Sequence, residues 1–363
     1  MTIIHLISNK VWGGGEKYAL DLILRQRAEG HETLAITKGI ADVDTHLIEA
    51  GITTINLPLR GFFDLKSAYG IAKLLRSHDK TESVVIHAHN FNDAFVAMHS
   101  RRLAWRRSPR IVVTRHLVKK AKTWLPYNIL YRNIDALIFV SELARDTFLK
   151  SNPRTGNCDI RVIHNAVDVP HNIVPTDLRS FYGLGSDTII AMFHGRLTKE
   201  KGLDTLVEAL AKCSNKKIHL LITGTGDERY VERIEKRVKK LKLSERITMT
   251  GFQKDVKPLI AGCDFGVIPT IAPESFGLAC AEYMAQGKAI ISTDNGAQKE
   301  FISNGENGLL VPPSDDLALA AAMQLLAGES ELRDKLGKAA RQTVISTLNY
   351  DIFYNNTMDT YHN

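Results

Sequence analysis

The chain has four cysteines in 363 residues, Cys158, Cys213, Cys263 and Cys280, and no two of them form a Cys-x-x-Cys pair. That spacing argues against a zinc site and against a disulfide framework, and it suits a reducing compartment. Long hydrophobic runs are also missing. No apolar stretch reaches the roughly 20 residues of a membrane span, and no basic leader segment precedes the N-terminal "IIHLIS". The expectation is a soluble, cytoplasmic protein. A P-loop GxxxxGK[ST] is absent, which leaves ATP hydrolysis without support, and Gly224-Thr225-Gly226 lacks the third glycine of a dinucleotide fingerprint because Arg229 stands in its place. Asp42-Val43-Asp44 matches an Asp-x-Asp metal motif but lies far from the other candidate motifs, so chance explains it better.

Acid is missing from one whole region. Between Ala94 and Ile134 ten cations, among them Arg101, Arg102, Arg106, Arg107, Lys119, Lys120 and Lys122, meet no Asp or Glu, and Trp105 and Trp124 share the stretch. The net charge of +7 is therefore uneven, with +8 on residues 1–170 and −1 on the remainder. Such a field attracts anionic surfaces. No nucleic-acid-binding module accompanies it, so nucleic acid is not an expected partner. Basic residues interleaved with tryptophan suit an anionic membrane surface or an anionic acceptor, which would place the protein at the inner face of the cytoplasmic membrane. A solvated basic face is the plain alternative.

What is present is ordinary globular material. With 44% hydrophobic residues the chain can bury two cores. Short β-branched runs alternate with amphipathic segments: "IIHLI", "TLAIT", "VVIHA", "IVVT" and "ALIFV", then "IIAMF", "HLLIT", "ITMT", "FGVIP", "AIIST" and "GLLV". These strands are continuously apolar, as in parallel sheets covered by helices on both faces. The period breaks once, in the polar, Pro- and Gly-punctuated passage 165–187. The expected organisation is two Rossmann-like doubly wound α/β domains, 1–170 and 171–345, facing across a cleft, with an aromatic tail, 346–363, packing back on the first. Such sheets bind ligands beyond their strand C-termini.

Two passages have the chemistry for an anionic ligand. In "GRLTKEKGLDTLVEAL" (195–210) a strand ends at glycine, Arg196 and Lys201 follow, and Gly202 precedes a helix. A guanidinium fork, a mobile ammonium and unpaired helix-start N–H groups suit a phosphate. In "PESFGLACAEYMAQGKAI" (273–290) Glu274 precedes a helix that starts near Gly277 and contains Glu282. The amides of Gly277 and Leu278 can face a phosphate while the two carboxylates accept from hydroxyls on either side of it. A ligand with sugar, diphosphate and ribose in series fits. Read singly, Arg196 and Lys201 also suit a solvated turn, Glu274 a dipole complement and Glu282 the surface.

Taken together, "FHGRLTKEKGLDTLVEAL", "LLITGTGDE", "ITMTGF" and the 273–315 segment resemble the C-terminal half of retaining, nucleotide-sugar-dependent glycosyltransferases of the GT-B fold, of the bacterial family 4 type. The first half resembles the same group in "NKVWGGGEKYALDLILRQRAEGH", "HAHN", "VVTRH", "FVSELARDTFL" and "VIHNAVD", in the same order. The resemblance implies that Arg196 and Lys201 bind the donor diphosphate and Glu282 the ribose. Glu274 and the Phe276, Gly277 and Leu278 backbone would hold the transferred sugar and its phosphate. Gly13, Gly14 and Gly15 match the loop that lets the backbone approach donor phosphates or acceptor, a task that suits a residue without Cβ. His116 matches a histidine close to the reacting carbon and is the first catalytic candidate, with Arg196, Lys201 and Glu274. His87 and His89 share one strand face and are candidate acceptor contacts. No cofactor or metal is expected, since the histidines lack supporting carboxylate or cysteine spacing. The expected partners are a nucleotide-sugar donor and a glycan or glycolipid acceptor, in lipopolysaccharide, capsule or other cell-surface polysaccharide synthesis. A catalytically silent nucleotide-sugar- or glycan-binding subunit is the alternative, and a phosphorylase or sugar-phosphate synthase a third. Two positions depart from the family pattern: Ala166 replaces a glycine, and His194 stands where a small or apolar residue is commoner.

Overall fold

The computed structural model describes residues 1–77, 83–105, 108–170 and 172–362. The chain forms two compact units, Met1–Ala166 together with Asp351–Asn363, and Val167–Tyr350.

The first unit is built on a seven-stranded parallel sheet. Its strands are β1 (Thr2–Ile7), β2 (Glu32–Thr37), β3 (Thr54–Asn56), β4 (Val84–Ala88), β5 (Arg110–Arg115), β6 (Ala136–Phe139) and β7 (Asp159–Val162), in the order β3-β2-β1-β4-β5-β6-β7. Every residue of β1 and β4 is buried, the condition of central strands covered on both faces. Strands β3 and β7 escape the sequence reading for a physical reason. They are the sheet edges, where "TIN" and "DIRV" remain partly exposed and need not be apolar. Strand order reverses between β1 and β4, so their C-terminal ends diverge into a crevice. The β1–β4 register sets His5 opposite His87, which puts both rings on one face of the sheet.

The C-terminal helix Tyr350–His362 lies against this unit. Arg110 Nε donates to the Thr360 carbonyl at 2.7 Å, and Phe353 meets Tyr18 edge-on at 4.9 Å between ring centroids.

The second unit carries a six-stranded parallel sheet of β8 (Ile189–His194), β9 (Ile218–Thr223), β10 (Ile247–Gly251), β11 (Phe265–Ile268), β12 (Ala289–Thr293) and β13 (Leu309–Val311), ordered β10-β9-β8-β11-β12-β13. All six are the strands read from the sequence. Here the switch falls between β8 and β11, and the two loops that leave their C-terminal ends carry Arg196, Lys201 and Glu274. Among the described residues no helix is long and apolar enough to cross a membrane, and the four cysteines are free.

Candidate functional site

In the second unit the chain leaves β8 at His194, turns at Gly195, and passes Arg196 before a 3₁₀ turn, Lys199–Lys201. Gly202 then starts the helix Leu203–Lys212 in the left-handed region, with φ +75°. Only glycine fits there, because a Cβ would stand 1.9 Å from the Pro269 carbonyl oxygen. That close approach joins the loop after β8 to the loop after β11. The Glu200 carbonyl accepts from the amides of Ile271 at 2.8 Å and Ala272 at 3.3 Å, and Lys201 Nζ donates to Glu274 Oε1. Thr270 Oγ1 donates to the same oxygen at 3.0 Å. Both contacts fall on Oε1, so Oε2 of Glu274 keeps its lone pairs. The Arg196 guanidinium is exposed and makes no hydrogen bond or ion pair with a described residue.

Gly224 and Gly226, the incomplete dinucleotide motif, have a different task. A Cβ on Gly224 would lie 2.0 Å from the Gly195 carbonyl, and one on Gly226 1.9 Å from that of Leu197. These glycines let the chain after β9 pack on the Arg196 loop, where Leu197 N donates to the Thr225 carbonyl at 2.8 Å.

Three residues beyond Glu274, Gly277 opens the helix Leu278–Ala285 with φ +101°, and no side chain caps that helix or the one at Leu203. Two helix entrances with uncapped amides therefore stand behind the joined loops, each with a partial positive charge. Glu282 lies one turn into the second helix, and His194 Nε2 donates to its Oε2 at 2.7 Å. Glu274 and Glu282 are each partly buried and bonded to a basic side chain of the first loop or its strand. Neither is a free surface acid. The His194–Glu282 contact had no sequence signal beyond the oddity of a histidine before Gly195.

In the first unit Gly13 precedes the helix Gly14–Ala28, again without a side-chain cap. The structure brings this glycine loop to His116, since a Cβ on Gly15 would lie 3.5 Å from the His116 ring. His116 follows β5, meets Tyr18 edge-on at 4.8 Å and stacks on His89 at 6.0 Å. The residue is half-buried, and its Nε2 is enclosed without a partner among the described residues. Burial lowers the His116 pKa to about 4, so the imidazole is neutral near pH 7.

Behind His116 lies a cluster that sequence reading saw only in part. His5 Nε2 donates to Gln26 Oε1 at 2.8 Å, which leaves His5 Nδ1 to accept from His89 Nε2 at 3.1 Å. Gln26 Nε2 donates to the Tyr361 hydroxyl at 3.2 Å, that hydroxyl donates to His87 Nδ1 at 2.5 Å, and His87 Nε2 donates to Thr114 at 2.7 Å. Burial holds His5 near a pKa of about 4, against a smaller opposing effect of Gln26, and holds His87 and His89 well below the usual value. His5, His87 and His89 gather ligand-type atoms within 4.8 Å. The hydrogen-bond order nevertheless engages the lone pairs of His5 and His87, and only His89 Nδ1 stays unpartnered. That is the pattern of a bonded core. Of the two expected acceptor contacts, His87 is fully buried with both nitrogens engaged inside the unit, and His89 is buried as well, with its Nδ1 enclosed.

The basic stretch is less uniform than its composition. Arg101 bonds Asp135 and the Asn133 carbonyl, Arg110 bonds the Thr360 carbonyl, and Arg115 lies over the Phe91 and Phe148 rings at 4.9 and 5.2 Å. Arg106 and Arg107 lie outside the described residues. Exposed basic and apolar groups sit together in 117–125, with Leu117 54%, Trp124 60% and Leu125 73% exposed beside exposed Lys119, Lys120 and Lys122, and again at Arg102, Leu103 and Trp105. Asp42 and Asp44 serve the fold, accepting from Trp12 N and from Asn56 Nδ2.

Two parallel-sheet α/β units with glycine-opened helices at their switch points define the GT-B class. The family model of glycosyl transferases group 1 matches residues 176–343, and that of glycosyltransferase family 4 matches 12–170. The chain belongs to the GT-B glycosyltransferases of the family 4 type. It is 30% identical over 187 residues to the lipopolysaccharide core biosynthesis glycosyltransferase LpsE of Rhizobium meliloti, a match covering 52% of this chain and 53%, about half, of that relative. It is 28% identical over 355 residues to a phosphatidyl-myo-inositol mannosyltransferase of Mycobacterium leprae, covering 92% of this chain and 88% of the relative. Among solved structures, HepE of Anabaena in complex with UDP superposes with a TM-score of 0.85 over 100% of both chains at 20% identity.

Proposed function

We propose that the protein is a retaining, metal-independent glycosyltransferase that moves a sugar from a nucleotide-diphosphate sugar to a hydroxyl of a glycan or glycolipid, in the assembly of a cell-surface polysaccharide. The observation that carries this reading is the joining of Lys201 to Glu274 in front of two uncapped helix entrances, with the Arg196 guanidinium unpaired alongside in the same loop. When the bond from the anomeric carbon to the phosphate oxygen breaks, its electron pair stays on the leaving diphosphate. Arg196, Lys201 and the helix-start amides are fixed charges and dipoles for that growing anion, the task a divalent ion performs elsewhere. The acceptor oxygen then bonds to the same face of the anomeric carbon, and its proton passes to the leaving phosphate. Glu274 Oε2 accepts from a hydroxyl of the transferred sugar and Glu282 from the ribose. The names of relatives, with lipopolysaccharide core and phosphatidyl-inositol among their substrates, support an acceptor of glycolipid type. The exposed basic and aromatic segment 117–125 supports delivery at an anionic membrane.

Turnover with a panel of UDP- and GDP-sugars tests the reading. Arg196→Ala and Lys201→Ala are each expected to lower kcat by more than about tenfold, since the charge they place is preorganised where water's is not. Near-normal rates in both variants would overturn their role. A wild-type protein that binds nucleotide but turns over no donor would instead identify a silent binding subunit.

A further inference from the structure

The carboxylate of Glu282 does not stand by itself. It is held by His194, the last residue of β8, which is 8% exposed and donates Nε2–H to Glu282 Oε2 at 2.7 Å. The two elements that carry this pair are locked in register by the neighbouring residue. The Tyr283 hydroxyl donates to the Met192 carbonyl at 2.9 Å, its ring lies 5.0 Å from the His194 ring, and Gly266 leaves room for it where a Cβ would come within 2.6 Å of the ring. Helix Leu278–Ala285 is thus pinned to β8 beside the contact. With Nε2 bearing the proton, His194 Nδ1 is buried and has no partner among the described residues. An apolar residue at this position would leave no such orphan, so the histidine is not explained by stability of the strand end.

Resting on the reading of Glu282 as the ribose ligand, we propose that His194 is a positioning residue of the donor site that sets selectivity for ribonucleotide over deoxyribonucleotide donors. A glutamate near the surface samples several rotamers, and a charge-assisted hydrogen bond to one carboxylate oxygen selects one of them. The carboxylate so oriented is a preformed acceptor for a vicinal diol, and the ordering cost is met before the nucleotide arrives. An acceptor fixed in this way discriminates against a ligand that lacks the diol, because its lone pairs are then left unmatched.

Calorimetric titration of the full chain with UDP and with 2′,3′-dideoxy-UDP tests this, with GDP and its dideoxy analogue run in parallel. His194→Leu is expected to weaken the ribonucleotide by about tenfold, the loss of roughly one charged hydrogen bond, while affinity for the dideoxy analogue changes less than about twofold. His194→Gln, whose Nε2 can reach Glu282, should recover most of the loss, and His194→Asn, which is too short, should not. Asn also serves should the Leu variant fail to fold by circular dichroism. Unchanged ribonucleotide affinity in folded Leu and Asn variants would overturn the proposal, as would equal weakening of both analogues or failure of Gln to rescue. Glu282→Ala separates the two levels. If it leaves ribonucleotide affinity unchanged, or if wild type binds neither nucleotide, the donor-site reading itself falls. If Glu282→Ala weakens binding and His194→Leu does not, only the role of His194 falls.

Discussion

Four imidazoles, His5, His87, His89 and His116, are kept neutral by burial in the first unit. Unfolded histidine takes up its proton near pH 6.5, whereas His5 and His116 resist protonation in the fold until about 4. Their stabilising contribution is therefore fully present above pH 6.5 and lost as pH falls below it. Asp93 acts in the opposite sense. Its buried carboxyl is pushed up to about 7, so its contribution is present at low pH and lost as pH rises from the ordinary carboxylate range toward 7. Four depressed histidines outweigh one raised carboxyl, so the net effect of these five groups is that stability falls as pH drops below 6.5. Trp12, Trp105 and Trp124 all belong to this unit, so tryptophan fluorescence reports its unfolding separately. Urea midpoints followed by fluorescence should drop steeply from pH 7.5 to 5.5, and equal midpoints would show that the cluster accepts protons while folded. At this scale the sequence exposed some partners and hid others. "VVTRH" and the glycine loop marked His116 and Gly15, which do meet. His5 and Gln26 sit in an ordinary strand and an ordinary helix, with nothing local to distinguish them.

At the scale of elements, the helix Tyr350–His362 acts as a clasp on the β1–β4 crevice of the first unit. Its Tyr361 hydroxyl joins Gln26, from the first helix, to His87, from β4. Tyr361→Phe keeps the ring but leaves one buried donor and one buried acceptor unpaired, a cost of roughly 2–4 kcal/mol. For a unit of this size that corresponds to a fall of about 5–10 °C in Tm. Tyr354→Phe, which removes only a bond to the partly exposed His31, should change Tm much less. Equal small shifts in the two variants would show that the Tyr361 hydroxyl is not what secures the helix. The loops of the second unit follow a related logic. Gly202, Gly224 and Gly226 each stand where a carbonyl of a neighbouring segment takes the space of a Cβ. A reader of the sequence sees "GTG" as a failed cofactor motif because the packing that requires it comes from a loop almost thirty residues earlier.

For the molecule as a whole, two separately cored units sit on one chain that returns to the first after completing the second. The sequence placed the divisions at 170 and 345, and the contacts place them at Ala166 and Tyr350. The charge asymmetry belongs to this scale as well. With Arg101, Arg110 and Arg115 engaged inside the first unit, the proposed electrostatic contact with membrane would draw on the exposed Lys119, Lys120 and Lys122. In flotation with anionic vesicles at low salt the protein should rise with the lipid. Lys119→Glu with Lys120→Glu should abolish most of that, as should about 1 M salt, where screening extends only a few ångströms. Equal binding to neutral vesicles would remove charge as the cause.

The sequence by itself determined the α/β class, the six strands of the second sheet and the central strands of the first, and it singled out Arg196, Lys201, Glu274 and Glu282. Continuous apolar runs and glycine-punctuated turns are local consequences of burial on two faces and of backbone shape. Only the tertiary structure decided that Lys201 holds Glu274, that His194 holds Glu282, and that Tyr361 reaches His87 from 274 residues away. Those pairings depend on which strand ends lie side by side, a property of sheet order that no single segment encodes.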